Sequence, residues 1–235
     1  MSRYINASDI SKLLGREYGF FWSTTDDIRR ILKCERNDKD PVKDTLSLLT
    51  KEDLVKTAEA LGCIPNVEKI MKVLEKKKMK ITDSGSHSEY TDLTCSLVNK
   101  LPSNIGNAIV DDFCLQRGVS EESKILESRN IKKDNKLRYL NFKVENQWYK
   151  IGCRFDGPQV EIKTRKSKFL GVPDYEKVQI HIYMAVAGCG SWTLIEKYND
   201  HEVDHSINFD TSFFDKVKND LHQKWESNLC SLNLA

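Results

Sequence analysis

Paired cysteines are missing from this chain. Seven cysteines lie at positions 34, 63, 95, 114, 153, 189 and 230. The number is odd and no C-x-x-C pair occurs, so reduced, mostly buried thiols are expected rather than disulfides or a zinc knuckle. No run of about 18 apolar residues is present, which excludes a sequence-legible membrane-spanning helix. The start, Met1-Ser2-Arg3-Tyr4, has none of the apolar core of a signal peptide, so the protein is expected to stay inside the cell. The phosphate-loop pattern G-x-x-x-x-G-K-[ST] is also absent, and with it support for ATP-driven activity. There is no internal repeat and no long low-complexity tract, hence no firm linker.

What is present is an ordinary soluble composition, 39% hydrophobic and 31% charged over 235 residues, with a formal net charge of +2. That length allows one large domain or two small ones. The charge is unevenly spread. Between Lys132 and Lys168 eleven Lys/Arg face four Asp/Glu, a local +7 against −5 for the remainder. A basic block of this kind suits either a polyanion held beside a metal or a solvated strand face.

The first hundred residues carry helical periodicity. "NASDISKLLG" offers Asn6 and Ser8 as cap candidates and ends at Gly15, and "TTDDIRRILK", "TKEDLVKTAEALG" and "NVEKIMKVLEKKKMK" repeat the three- and four-residue apolar spacing. "TDSGSHSEYTD" reads as a polar loop. After Pro102, "NIGNAIVDDFCLQRG" reads as a helix ending at Gly118. "LRYLNFKV", "WYKIGCRFD" and "VEIKTR" then alternate as strands around short turns. Pro173 to Gly188 predicts a helix, "SWTLIEKY" and "HSINF" two more strands, and "TSFFDKVKNDLHQKW" a closing helix. The expected fold is α/β in the mixed α+β sense, a central mixed sheet flanked by helices. Residues 1–100 would form a helical region and residues 101–235 the sheet-bearing core.

Alternation places Glu161 and Lys163 on one face of a strand and Ile162 on the other, and Asp156 lies one short turn upstream. Two carboxylates brought together by a hairpin would force one to take a proton unless a cation sat between them. Hard oxygen ligands select Mg²⁺ or Mn²⁺. The Lys163 ammonium would then position the attacking water or stabilise charge on phosphorus oxygens, which implies phosphodiester hydrolysis. A surface hairpin bearing a salt bridge is the alternative on this motif alone. In "PDYEKVQIHIYMAVAG", Gln179 and Tyr183 share a stripe beside the apolar face and could reach the lysine, the water or DNA.

These residues together resemble the PD-(D/E)XK nuclease superfamily, in the branch of lambda exonuclease, YqaJ-like viral recombinases and RecB-type domains. The matching pieces are Asp156-Gly157, Glu161-Ile162-Lys163, Gln179 to Tyr183, and "YINASDISKLLG" against the segment that opens lambda-type members. The resemblance implies a restriction-endonuclease-like core. It also implies Asp156, Glu161 and the Ile162 carbonyl as Mg²⁺ ligands, Lys163 as the catalytic amine, Gln179 as its support, and Ser8 as a phosphate contact. Family members carry a glutamate four residues after a glycine on the first core helix. Here Gly106 is followed at that spacing by Val110, and Asp111, ahead of Asp112, is taken as the acid in its place. Arg154, Arg165, Lys166 and Lys168 are candidate DNA phosphate contacts, with Tyr183 beside them.

The function expected is an exonuclease hydrolysing linear DNA in viral or phage recombination, repair or replication, in the host cytoplasm or nucleus. A homotrimer or a single-strand annealing partner would follow from the resemblance. The alternatives are an endonuclease of the same superfamily, a non-catalytic DNA-binding protein on such a scaffold, and a helical interaction protein. "HEVDH", His201 to His205, matches a zinc-protease pattern, but its surroundings favour a strand, where the imidazoles would lie roughly 13 Å apart.

Overall fold

A computed structural model describes residues 2–33, 40–83, 96–134, 136–165 and 168–232. Two compact units divide the chain, one of Met1–Arg36 with Glu122–Ala235, the other of Asn37–Glu121. The division expected at residue 100 is therefore not the one observed, because the first 36 residues pack with the C-terminal half. Lys166 and most of "TDSGSHSEYTD" lie outside the described residues. No described helix is long and apolar enough to cross a membrane.

The first unit holds two three-stranded mixed sheets in place of the single central sheet expected. In one, β1 (Ser2–Asn6) runs parallel to β3 (Gln147–Cys153), which pairs antiparallel with β2 (Arg138–Val144). Strand β1 is a correction to the helical reading of the N-terminus. Its apolar Ile5 sits opposite Ile151, and its partner is more than 140 residues away. In the other sheet, β4 (Val160–Thr164) is parallel to β5 (Ser191–Tyr198), and β5 is antiparallel to β6 (His201–Asn208). His201 to His205 thus lie on a strand, as expected.

Helix α1 (Ala7–Leu14) follows β1, with Asn6 rather than Ser8 at the cap position. Helix α2 (Thr25–Leu32) opens on a capping box in which Thr24 and Asp27 satisfy one another's amides. The core joins Ile5, Ile10 and Leu14 to Tyr149, Ile151, Trp192 and Leu194. Ile180 and Ile182 of α7 (Asp174–Ala187) and Leu221 and Trp225 of α8 (Thr211–Ser231) complete it.

The second unit is helical: α3 (Pro41–Ser47), α4 (Lys51–Leu61), α5 (Val67–Asp83) and the first part of α6 (Ser103–Ser128). Its core gathers Leu46, Leu61, Ile70, Leu74, Ile105, Ile109 and Phe113. Helix α6 does not stop at Gly118. That glycine keeps an ordinary helical φ, and the helix runs on so that Ile125 and Leu126 pack against Val160, Ile162 and Ile195. This small cluster covers one face of β4 and leaves the other for polar chemistry.

Candidate active site

Period-two alternation sets the site. Val160 and Ile162 point to the cluster with α6, so Glu161 and Lys163 point to the opposite face of β4. Strand β4 is the outer strand of its sheet, and its free edge is occupied from residues 156 and 157. Gly157 exchanges backbone hydrogen bonds with Val160, and the Ile162 amide donates to Asp156 Oδ2 at 2.7 Å. The two acids therefore meet across the edge of one strand, not across a hairpin, because β3 and β4 belong to different sheets. A strand residue sends its N–H and C=O to the same side, so the Ile162 carbonyl faces that edge as well.

Glu161 is buried, 3% exposed. Its Oε1 accepts from Lys163 Nζ at 2.5 Å and from Gln179 Nε2 at 3.1 Å. Gln179 also donates to the Tyr183 hydroxyl at 2.5 Å, and its Oε1 lies 3.4 Å from Lys163 Nζ. Asp156, Glu161, Lys163 and Gln179 are thus one contiguous set. Tyr183 anchors Gln179 but is not a DNA contact. It is 4% exposed, enclosed by Phe155 and Trp192, and burial with the Glu161 charge raises its pKa.

The electrostatics are those of crowded acids. Burial and then the Glu161 charge push the Asp156 carboxyl up to about 8, with Glu122 adding to them and the Ile162 amide and Lys163 opposing. Burial disfavours the Lys163 ammonium, but Glu161, Glu176 and Asp156 outweigh it and hold the pKa above its usual value. Lys163 is therefore cationic at neutral pH. An ammonium has no lone pair, so its role in this arrangement is to donate and to stabilise negative charge.

Glu122 is the acid that the sequence reading missed. It sits on α6 three and four residues before Ile125 and Leu126, on the stripe turned to β4, and pairs with Lys133 at 2.9 Å. Gly118 precedes it by four residues. Reading Gly118 as a helix end placed Glu122 beyond the helix, whereas it lies within α6. Asp111 and Asp112 belong to the other unit, where Asp112 is buried and Asp111 exposed.

The basic residues divide. Arg154 and Lys168 are exposed, as is Ser8 in the first turn of α1. Arg165 is corrected. It is 7% exposed and its guanidinium is shared between Glu176, at 2.6 and 2.7 Å, and Glu196. With its donors directed inward it cannot serve a phosphate.

The donors present suit a hard divalent ion. Glu161 Oε2 is buried with no hydrogen-bond partner among the described residues, and burial together with the Glu161 charge keeps the neighbouring carboxyl raised to about 8. Among the described residues no three His, Cys, Asp or Glu side chains converge on one point. The chain's own share would be Asp156, Glu161 and the Ile162 carbonyl. Mg²⁺ takes one or two carboxylates and keeps several waters.

Because the Asp156 pKa is raised, the native chain binds a proton there that the unfolded chain has already lost between about pH 4 and 8. The stability this supplies is complete below about pH 4 and disappears as the pH rises through about 8. A divalent ion competes with that proton, so Mg²⁺ is expected to raise the unfolding temperature more at about pH 9 than at about pH 6. Asp156→Asn should remove the difference. Glu122→Gln should move the pH of half-maximal Mg²⁺ binding downward, measured by the same thermal shifts.

No family model and no curated protein matches the chain. A solved structure, the crystal structure of SSO0001, is 20% identical with a TM-score of 0.41, covering 66% of this chain and 85% of its own. A likeness that distant says nothing of the chemistry.

Proposed function

We propose that this protein is a Mg²⁺-dependent deoxyribonuclease that hydrolyses phosphodiester bonds, with Mn²⁺ as a substitute. One observation carries the reading: the buried Glu161 and the half-buried Asp156 gather at one strand edge, mutually repelling, with a lysine ammonium and a glutamine hydrogen-bonded to the same Glu161 oxygen. The motif resemblance to PD-(D/E)XK nucleases supports it. The preference for exonuclease action on linear DNA, in recombination, repair or replication of a virus or phage, rests on that resemblance alone.

A bound divalent ion would supply an activated water and a Lewis acid for the phosphoryl oxygens. The chain's own residues do the rest. Asp156, Glu161 and the Ile162 carbonyl would hold the ion. Lys163, held by Glu161 and Gln179, would donate its N–H groups to the charge that develops on phosphorus oxygens. Gln179 fixes Glu161 and Lys163 relative to one another, and Tyr183 fixes Gln179. Arg154 and Lys168 are free to meet the DNA backbone.

Incubating end-labelled linear DNA and closed circular DNA with Mg²⁺ tests the reading. Mg²⁺-dependent loss of the linear molecules with the circles intact is expected. Circles degraded as fast as linear DNA would overturn the exonuclease preference, and no degradation of either would overturn the nuclease reading.

A further inference from the structure

The sheet β1-β3-β2 has one face in the core and one in solvent. Leu140, Phe142, Tyr149, Ile151 and Ile5 face the core, so the alternate residues face outward. Register places these in three rows: Asn6, Gly152 and Tyr139; Tyr4, Lys150 and Asn141; Ser2, Trp148 and Lys143. Nine positions carry three aromatic rings, two lysines and two amides, and no acid.

That composition is unusual for a face that only needs to be wetted. Trp148 is 52% and Tyr139 44% exposed, and Asn141 and Lys143 are exposed beside them. The Lys150 ammonium lies 4.1 Å from the centre of the Tyr139 ring, which holds the ring and its charge together. Tyr4 lies over Gly152, donating to Asn6 Oδ1 at 2.8 Å. A Cβ at position 152 would collide with the Tyr4 hydroxyl, so glycine there lets the third ring spread across the sheet. A hydrophobic partner would desolvate the two lysines and the exposed Asn141 amide, and a duplex presents phosphates but no free base faces. Rings for stacking, ammonium groups for phosphates and no opposing carboxylate fit a chain of unpaired nucleotides.

We propose that this open sheet face binds single-stranded DNA, with bases stacked on Trp148 and its neighbouring rings and phosphates met by Lys143 and Lys150. Strand β3 (Gln147–Cys153) is followed three residues on by Asp156, so a strand lying on the face is delivered toward the candidate active site. The choice of DNA rests on the nuclease reading; the demand for unpaired bases rests on the face itself.

Binding is measured without metal, so that its failure is separable from failure of cleavage. Fluorescence anisotropy of labelled oligothymidylate in EDTA should show Trp148→Ala binding about ten-fold or more weakly than wild type, with Trp148→Tyr close to wild type. Lys143→Ala should reduce the salt dependence by about one phosphate contact. An abasic oligomer of equal length should bind weakly and be indifferent to Trp148→Ala. Unchanged binding by Trp148→Ala, equal binding of the abasic oligomer, or tighter binding of duplex DNA would each overturn the assignment. Tighter binding of oligouridylate would overturn the choice of DNA.

Discussion

Lys163→Ala is expected to lower the rate of Mg²⁺-dependent cleavage of linear DNA by ~10²–10⁴-fold while leaving DNA binding nearly unchanged. The magnitude follows from what the ammonium faces. It is held at 2.5 Å from Glu161 Oε1 and within reach of Gln179, so its charge is fixed in place before substrate arrives. A preorganised cation at a developing negative charge contributes far more to the transition state than to the ground state. Lys163→Arg should recover little, since the guanidinium is planar and larger and cannot reproduce one point charge between an acid and an amide. Gel assays of end-labelled DNA measure the rate. A Lys163→Ala protein as active as wild type would remove the mechanism but leave metal binding standing.

Arg165→Ala is expected to destabilise the protein by ~3–5 kcal/mol. Its guanidinium meets both oxygens of Glu176, and Glu196 through Nε, in a site where all three residues are buried. Glu196 also accepts the amides of Leu170 and Gly171 at 3.0 Å and approaches His205 Nε2 at 2.8 Å. Removing the arginine leaves two carboxylates in a desolvated space with one of their principal counter-charges gone. Arg165→Lys should restore only part of the loss, because an ammonium cannot engage Glu176 with two parallel bonds. Lys168→Ala, an exposed neighbour, should stay within about 0.5 kcal/mol. Urea unfolding monitored by tryptophan fluorescence reads all three. Equal stabilities for Arg165→Ala and Lys168→Ala would contradict the buried assignment.

The legible parts of this site were those with short-range causes. Alternation in "VEIKT" separated Glu161 and Lys163 from Val160 and Ile162, because a strand has only two faces. The stripe of Gln179 and Tyr183 followed from helical spacing, and β5 was delimited by the strand pattern of "SWTLIEKY". What was hidden depends on partners distant in sequence. Strand β1 is five residues long and is defined by pairing with β3. Arg165 looked like a phosphate contact because nothing local announces Glu196, 31 residues on. Tyr183 turned out to face Phe155 and Trp192, which one helical stripe cannot reveal. Glu122 was obscured by a local rule applied too firmly: glycine often ends helices, but packing of Ile125 and Leu126 on β4 carries α6 through Gly118.

Catalysis by this site requires a divalent ion held by Asp156 and Glu161. Titration calorimetry with Mn²⁺ at about pH 8, comparing wild type with Asp156→Asn and Glu161→Gln, addresses that directly. One ion bound per chain in the wild type, with a proton released on binding so that the apparent enthalpy varies with the ionisation enthalpy of the buffer, and no binding in either variant, is the predicted result. Absence of binding to the wild type, or binding that both variants retain, would contradict it.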